Sequence, residues 1–255
     1  ALIGQLSSSA DKDYYKINAT GTGKINITFD PTISSSADYF NISIQDSSGQ
    51  ILSRIATGED VVVTAYVENA GDYYVIVENT NRYDSDSYTL DYSFSSGIAA
   101  YEVERNQTRD TATPMSLNNF YTGQIYTSND SDYFSFTIDQ PGSIDLTFDP
   151  TISSSASYFT ITIRDSEGSI LSQSQAGDNS TLSATAQSSG TYYVQIQATN
   201  RWSDDPYQLK VNTTAGLGNV ELEPNNSRSE ATDLGSEALI GQLSSSADKD
   251  YYKIN

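Results

Sequence analysis

Ala1–Asn18 reads ALIGQLSSSADKDYYKIN, and Ala238–Asn255 repeats it letter for letter. The chain starts and stops inside the same piece of a repeating unit, so neither end reads as a natural terminus. Between the two copies lies a third, diverged one. Gly4-Gln5-Leu6 matches Gly123-Gln124-Ile125, and Asp11-Lys12-Asp13-Tyr14-Tyr15 matches Asp130-Ser131-Asp132-Tyr133-Phe134. Thr28–Phe40 (TFDPTISSSADYF) and Thr147–Phe159 differ only at Asp38 and Ser157. The offset is 119 (123 − 4, 147 − 28), and it persists from Gly71–Val75 to Gly190–Val194 and from Asn81-Arg82 to Asn200-Arg201. A tandem array is the reading that governs the fold.

An acidic lead precedes each unit. Glu102-Val103-Glu104-Arg105-Asn106 matches Glu221-Leu222-Glu223-Pro224-Asn225, again 119 apart. The unit is a lead plus a body of about ninety residues, the size of one β-sandwich domain. The expected division is a body without its lead (1–94), a linker (95–100), a complete unit (101–212), a linker (213–219), and a lead with the opening of a third body (220–255).

Composition excludes several classes. The chain of 255 residues has no cysteine and no histidine. That removes disulfides, thiolate chemistry, the commonest general base and any Ser-His-Asp triad. The net charge is −20. Such a surface repels nucleic acid and anionic lipid and favours divalent cations. No apolar run is long enough to span a membrane.

Alternation at period two recurs between turn residues and predicts strands over 14–18, 24–29, 39–45, 51–55, 61–67, 73–78 and 88–92. Ile25, Ile27 and Phe29 face one side, with Asn26 and Thr28 on the other. Phe40, Ile42 and Ile44 alternate in the same way with Asn41 and Ser43. Adjacent tyrosines such as Tyr14-Tyr15 and Tyr73-Tyr74 must point to opposite faces, one into a core and one outward. No segment carries a helical stripe. The expected class is all-β: tandem antiparallel β-sandwiches of jelly-roll type, repeating every 119 residues or so.

The ordered series Glu221-x-Glu223-Pro224-Asn225-Asn226-Ser227, Ala231, Gly241, Asp248-x-Asp250-Tyr251-Tyr252 has a familiar form. So do Gly142–Leu146, Asp165–Gly168 and Gly190–Val194 in the complete unit. This resembles the bacterial and archaeal pre-peptidase C-terminal domain family, to which clostridial collagen-binding domains are similar. The resemblance covers both bodies and both leads. It implies a non-catalytic β-sandwich of secreted proteins, and calcium between the acidic lead and the Asp-rich turn. Carried over by position, the ligands are Glu102, Glu104, Asn106, Asp130 and Asp132 in the complete unit. In the next unit they are Glu221, Glu223, Asn225, Asp248 and Asp250, and the first body keeps Asp11 and Asp13. Calcium takes six to eight oxygens, and carboxylates at i, i+2 on an extended lead point the same way. The competing reading is solvated turn residues and strand-end caps.

Glycosylation sequons occur at Asn18, Asn26, Asn41, Asn106, Asn129, Asn179, Asn212 and Asn225. Asn26 and Asn41 fall on the outward phase of their strands, where a sugar has room. Asn106 and Asn225 cannot hold both a glycan and a metal through one side chain. Trp202, in the place of Tyr83, either stacks on a sugar or collagen-like ligand or covers the end of its own sandwich.

The resulting expectation is no enzyme. It is a structural segment of an extracellular or cell-surface array, such as a stalk, adhesin shaft or fibre. Its partners are like domains in the same chain or polymer, with polysaccharide or protein matrix beyond, and neither nucleic acid nor membrane insertion is expected. The rival is a calcium-dependent accessory module of a secreted enzyme, gripping collagen or polysaccharide. A polymer in which residues 220–255 complete the leadless body of the next chain is disfavoured, because Ala238–Asn255 would compete with Ala1–Asn18 for one place.

Overall fold

The computed structural model describes residues 1–97, 100–216, 221–236, 238, 239, 241, 243 and 247–254. The chain divides into two compact units, Ala1–Arg105 and Asn106–Asn255.

In the first unit the strands are β1 (Leu2–Gln5), β2 (Lys12–Ala19), β3 (Gly23–Pro31), β4 (Phe40–Gln45), β5 (Ile51–Thr57), β6 (Val61–Val67), β7 (Gly71–Asn79) and β8 (Ser87–Ser96). They form two four-stranded antiparallel sheets, β1-β8-β3-β6 and β2-β7-β4-β5. The chain changes sheet at every connection except the β4–β5 hairpin, which is jelly-roll topology. The alternating sequence dictates the layering. β3 is buried at every second residue, and Ile25, Ile27 and Phe29 are at most 1% exposed. They share one core with Phe40, Ile42 and Ile44 of β4 and Val75 and Val77 of β7. At its centre the Phe29 ring lies 5.2 Å from Phe40 and 5.1 Å from Tyr88. The tyrosine pairs divide as expected: Tyr73 is buried, while Tyr14 is 64% exposed.

The second unit repeats the plan. Its strands are β9 (Thr113–Pro114), β10 (Tyr121–Gly123), β11 (Ser131–Ile138), β12 (Gly142–Pro150), β13 (Phe159–Arg164), β14 (Ile170–Ala176), β15 (Ser180–Ala186), β16 (Gly190–Ala198) and β17 (Tyr207–Ala215), with one 3-10 turn over Arg109–Thr111. The sheets are β10-β17-β12-β15 and β14-β13-β16-β11-β9. Phe148 stands 5.2 Å from Phe159 and 5.3 Å from Tyr207, the same aromatic cluster one period later. The short β9 lies parallel to β11 on its outer edge, Thr113 opposite Phe134 and Pro114 opposite Ser135. A second such pair, β18 (Thr232–Asp233) and β19 (Tyr252–Lys253), follows in the third repeat.

Thr28–Phe40 and Thr147–Phe159 pack their backbone against a glycine in the same way. The loop closing this stretch donates Ser35 N to Gly58 O at 3.0 Å, and Ser154 N to Gly177 O at 2.7 Å. A Cβ on Gly58 would meet Ala37 O at 2.2 Å, and one on Gly177 would meet Ala156 O at 1.8 Å. The backbones touch, so the loop has one shape.

The two linker bounds and the place of Asn41 need correction. Strand β8 runs through Ser96, opposite Gly23, and β17 runs through Ala215, opposite Gly142. The expected linkers 95–100 and 213–219 therefore begin at Gly97 and Gly216; residues 98, 99 and 217–220 lie outside the described residues. Asn41 does not face solvent. It is 8% exposed and donates its amide to Asn79 O at 3.4 Å, because β4 is an inner strand flanked on both sides. Trp202 donates its indole N–H to Ile125 O at 2.8 Å, as Tyr83 donates its hydroxyl to Leu6 O at 3.1 Å one period earlier. It covers its own sandwich. Among the described residues, no helix is long and apolar enough to cross a membrane.

Truncating the central ring of the second core, Phe148→Ala, is expected to cost about 3–5 kcal/mol, the range for emptying a buried phenylalanine site. Chemical denaturation followed by resolved NMR amides of each unit measures it. The loss is expected in β12 and its neighbours, with the first unit's midpoint unmoved.

Candidate metal centre

The lead of the third repeat bends at Glu223, with a cis peptide bond to Pro224, and still turns alternate side chains inward. Glu221, Glu223 and Asn225 are 4%, 7% and 0% exposed, while Pro224 between them is exposed. Three acidic or amide groups are thus turned inward from a segment with little apolar surface. Asp250, just before β19, meets them. Glu221, Glu223 and Asp250 each present a carboxylate oxygen within 4.8 Å of the others.

The hydrogen bonds hold this geometry without satisfying it. Asn225 N donates to Glu223 Oε2 at 3.1 Å, and Asn225 Nδ2 donates to Glu221 Oε2 at 3.2 Å. The Tyr252 hydroxyl donates to Glu221 Oε2 at 2.5 Å. Asn225 Nδ2 also reaches Thr232 Oγ1 at 3.5 Å. Three acceptors remain buried with no hydrogen-bond partner: Glu223 Oε1, Asn225 Oδ1 and Asp250 Oδ1. Buried polar atoms in folded proteins are nearly always bonded, so such a group calls for an explanation. The electrostatics agree. Burial, then the charges of Asp248, Glu221 and Asp250, push the Glu223 carboxyl up to about 7. Burial and the same acidic neighbours also raise Asp250. All the inward donors are oxygens, and three are carboxylates. That is a hard-cation set, and it fits calcium.

One period earlier the pattern recurs in part. Asn106 is fully buried, its Nδ2 donates to Thr113 Oγ1 at 3.4 Å, and its Oδ1 is buried without a partner. Asp132 is also fully buried and accepts from the Tyr207 hydroxyl at 2.5 Å. Glu102 and Glu104 close the first unit, whereas Asn106, Asp130 and Asp132 belong to the second. In the first body, Asp13 accepts from Tyr88 at 2.5 Å.

The first aspartate of each pair does something else. Asp130 accepts from Tyr126 N at 3.1 Å and Ser131 N at 2.9 Å. Asp11 accepts from Ser7 N at 2.7 Å and Lys12 N at 2.9 Å. Asp248 accepts from Lys249 N at 2.8 Å. Asp11 and Asp130 thus cap the turns before their strands, whereas the Asp248 charge acts on Glu223; among the described residues neither Asp130 nor Asp248 joins a group of three carboxylates within 4.8 Å. Asn106 and Asn225 are buried through the amide nitrogen that a glycan would need. Asn18, Asn129 and Asn179 are exposed, and Asn26 and Asn212 are half-buried. Sequence reasoning missed Tyr88, Tyr207, Tyr252, Thr113 and Thr232. The signal was available: Tyr88 and Tyr207, like Thr113 and Thr232, stand 119 residues apart (207 − 88, 232 − 113).

Residues 130–198 match the family described as the bacterial pre-peptidase C-terminal domain. The second body is a domain of this type, and the matched span contains Asp132 but neither lead. Among solved structures, the chain is similar to the pre-peptidase C-terminal domain of a collagenase from Bacillus anthracis, at 19% identity over 40% of this chain and 94% of that one, with a TM-score of 0.34. A human CUB1-EGF-CUB2 fragment of MASP-1/3 is 11% identical over 83% and 98%, with a TM-score of 0.28. The CBM22 tandem of Xyn10C from Paenibacillus barcinonensis is 9% identical over 79% and 82%, with a TM-score of 0.24. No curated protein matches the chain.

Burial pushes the Glu223 carboxyl up to about 7 in the folded, cation-free chain, above the ordinary 4.5 of a glutamate. Its contribution to holding the lead is therefore complete below about pH 4.5 and is lost as pH rises through about 7. The Tyr251 amide, which donates to Asn225 O at 3.1 Å, reports it. In chelator, its hydrogen-exchange protection, corrected for intrinsic rate, is expected to fall between pH 5 and pH 8.

Proposed function

We propose that the chain is a non-catalytic segment of an extracellular array of β-sandwich repeats, working as a surface stalk, adhesin shaft or fibre, in which acidic leads are clamped by calcium. The observation that supports it most is the set of buried, unbonded oxygens on Glu223, Asn225 and Asp250, gathered beside Glu221. Calcium supplies the positive charge those carboxylates lack. Glu221, Glu223, Asn225 and Asp250 would hold it, and Tyr252 and Thr232 keep Glu221 and Asn225 turned towards it. Pinning a lead converts a flexible connection into a stiff one, which suits a repeat protein whose task is reach.

The rest of the surface fits this role. The chain offers no histidine or cysteine for nucleophile or base chemistry. Trp202, the candidate ligand platform, is engaged with its own domain. Glycans at exposed Asn18, Asn129 and Asn179 would shield the sheets and discourage edge-to-edge pairing between molecules.

Calorimetric titration of the chain with calcium is expected to show saturable binding. Glu223→Gln is expected to weaken it at least about tenfold, the lower end for changes even beyond the direct ligands. At about one hundred times the dissociation constant, binding adds about 2.7 kcal/mol to the stability of the structure that holds the ion. Heat flow identical to a buffer blank would remove the clamp. Mass measurement of the native protein tests the array: a species far heavier than 27.7 kDa, bearing hexose on its peptides, is expected. Saturable binding of this chain to collagen fibrils or polysaccharide would overturn the stalk in favour of an accessory module.

A further inference from the structure

The two leads meet the bodies that precede them through different chemistry. Within the first unit, Arg105 Nη2 lies 4.0 Å from Asp46 Oδ2. Lys24 Nζ stands 5.4 Å from the centre of the Tyr101 ring, within cation–π reach. Tyr101 and Arg105 flank Glu102 and Glu104, so this lead is held at both ends. Asp46 divides its work between its oxygens. Oδ1 accepts from Ser48 N at 2.8 Å, Ser48 Oγ at 2.6 Å and Gln50 N at 2.9 Å, which closes the β4–β5 turn. Oδ2 is the oxygen paired with Arg105.

Within the second unit these groups are replaced. The positions 119 residues on from Lys24, Tyr101 and Arg105 hold Ser143, Val220 and Pro224, none with a charge or an aromatic ring. Asp165 keeps the place of Asp46 and closes the β13–β14 turn, its Oδ1 accepting from the backbone N–H groups of Glu167, Gly168 and Ser169. Cations of the same body already meet that turn. Arg164 Nη1 donates to Gly168 O at 2.8 Å, and Arg109 Nη1 donates to Ser166 O at 2.7 Å. The lead is taken instead by Gln187, whose Nε2 donates to Glu223 O at 2.6 Å. Gln187 stands where the first body has Glu68, and an ionised glutamate has no N–H to donate. The first body lacks the amide donor that serves the later lead, and the second lacks the Lys24 cation that serves the earlier one.

We propose that the first body carries a charge-reading dock for the lead of the second repeat, in which Asp46 takes Arg105 and Lys24 takes the Tyr101 ring, while the second body holds the lead of the third repeat through an uncharged hydrogen bond. The two leads are then not interchangeable, and each body selects the lead that follows it. Asp46 is 23% and Arg105 59% exposed, so solvent screens the pair and its effect is a few-fold one. The dock needs no metal ion and stands apart from the calcium reading above.

A glutamate-specific protease, used in chelator at low salt, tests the dock on the whole chain. It cuts after Glu102 when the lead leaves its body, and the initial rate there follows the open fraction. Cutting after Glu221 reports the later lead in the same digest, each site read by the mass of its own peptides. Asp46→Asn keeps the Oδ1 acceptor that closes the turn and removes the charge. It is expected to raise cleavage after Glu102 about two- to fivefold, the span for an exposed ion pair, and Lys24→Gln to do the same. Asp46→Asn joined to Arg105→Gln, normalised to the matching free lead peptide, is expected to be no faster than Arg105→Gln alone. Salt at about 1 M is expected to bring the Asp46→Asn rate and that of the unchanged chain together. At the later lead, Asp165→Asn is expected to change nothing, and Gln187→Glu to raise cleavage after Glu221. An Asp46→Asn rate equal to that of the unchanged chain at low salt, or Asp46 and Arg105 effects that multiply, overturns the charge dock. Faster cleavage after Glu221 on Asp165→Asn overturns the distinction between the leads. Calcium is absent throughout, so either failure leaves the clamp standing.

Discussion

A carboxylate taken out of water must find a proton, a donor or a cation, and the whole connection between lead and body turns on that demand. The lead of the third repeat adds little apolar surface. Its attachments among the described residues include a two-residue parallel strand, the Lys253–Asp233 pair, hydrogen bonds from Gln187 Nε2 to Glu223 O, from Lys249 N to Asn226 Oδ1 and from Tyr251 N to Asn225 O, and the acidic cluster. An exposed ion pair contributes about 1 kcal/mol or less, and so short a strand contributes little more. The cluster is the attachment that concentrates buried negative charge. Without a cation, burying Glu223 beside Glu221 and Asp250 opposes docking. With one, as proposed above, the same three charges would hold the segment. A single group of residues sets both states.

Most of the sandwich was readable in advance because an antiparallel sheet with one wet face imposes a two-residue period on its sequence. Ile25, Ile27 and Phe29 announce their face without help. The seven expected strands of the first body are β2 to β8. β1 was missed because Leu2 and Ile3 are exposed edge residues whose alternation has no buried phase to follow. β9 and β18 are two residues long, shorter than any period. The small polar ends of β8 (Ser95-Ser96) and β17 (Thr213-Thr214-Ala215) read as linkers because their pairing partners, near Gly23 and Gly142, are remote in sequence. Asn41 shows the limit of alternation itself: phase tells which face a residue takes, whereas burial on that face depends on what flanks the strand.

The site was half legible. The two-residue spacing of Glu221, Glu223 and Asn225 anticipated that all three share one buried side, although the lead bends at Glu223, and Asp250 comes within 4.8 Å of the two glutamates. Asp11 and Asp130 share that spacing but each closes a turn. Asp130 N donates to Thr127 O at 3.0 Å, which closes a turn and aims its side chain at backbone N–H groups. The tyrosine hydroxyls were invisible for another reason. A tyrosine at a core position is explained by its ring, and nothing local tells that Tyr207 reaches a carboxylate 75 residues away.

The substitution of Trp202 for Tyr83 leaves the chain with one indole and 19 phenols. That indole is only 39% exposed and tied by its N–H to Ile125 O. Excited at long ultraviolet wavelengths, the molecule emits from a single corner of one sandwich. In a string of near-copies, whose other signals overlap, nature has left one bead optically marked.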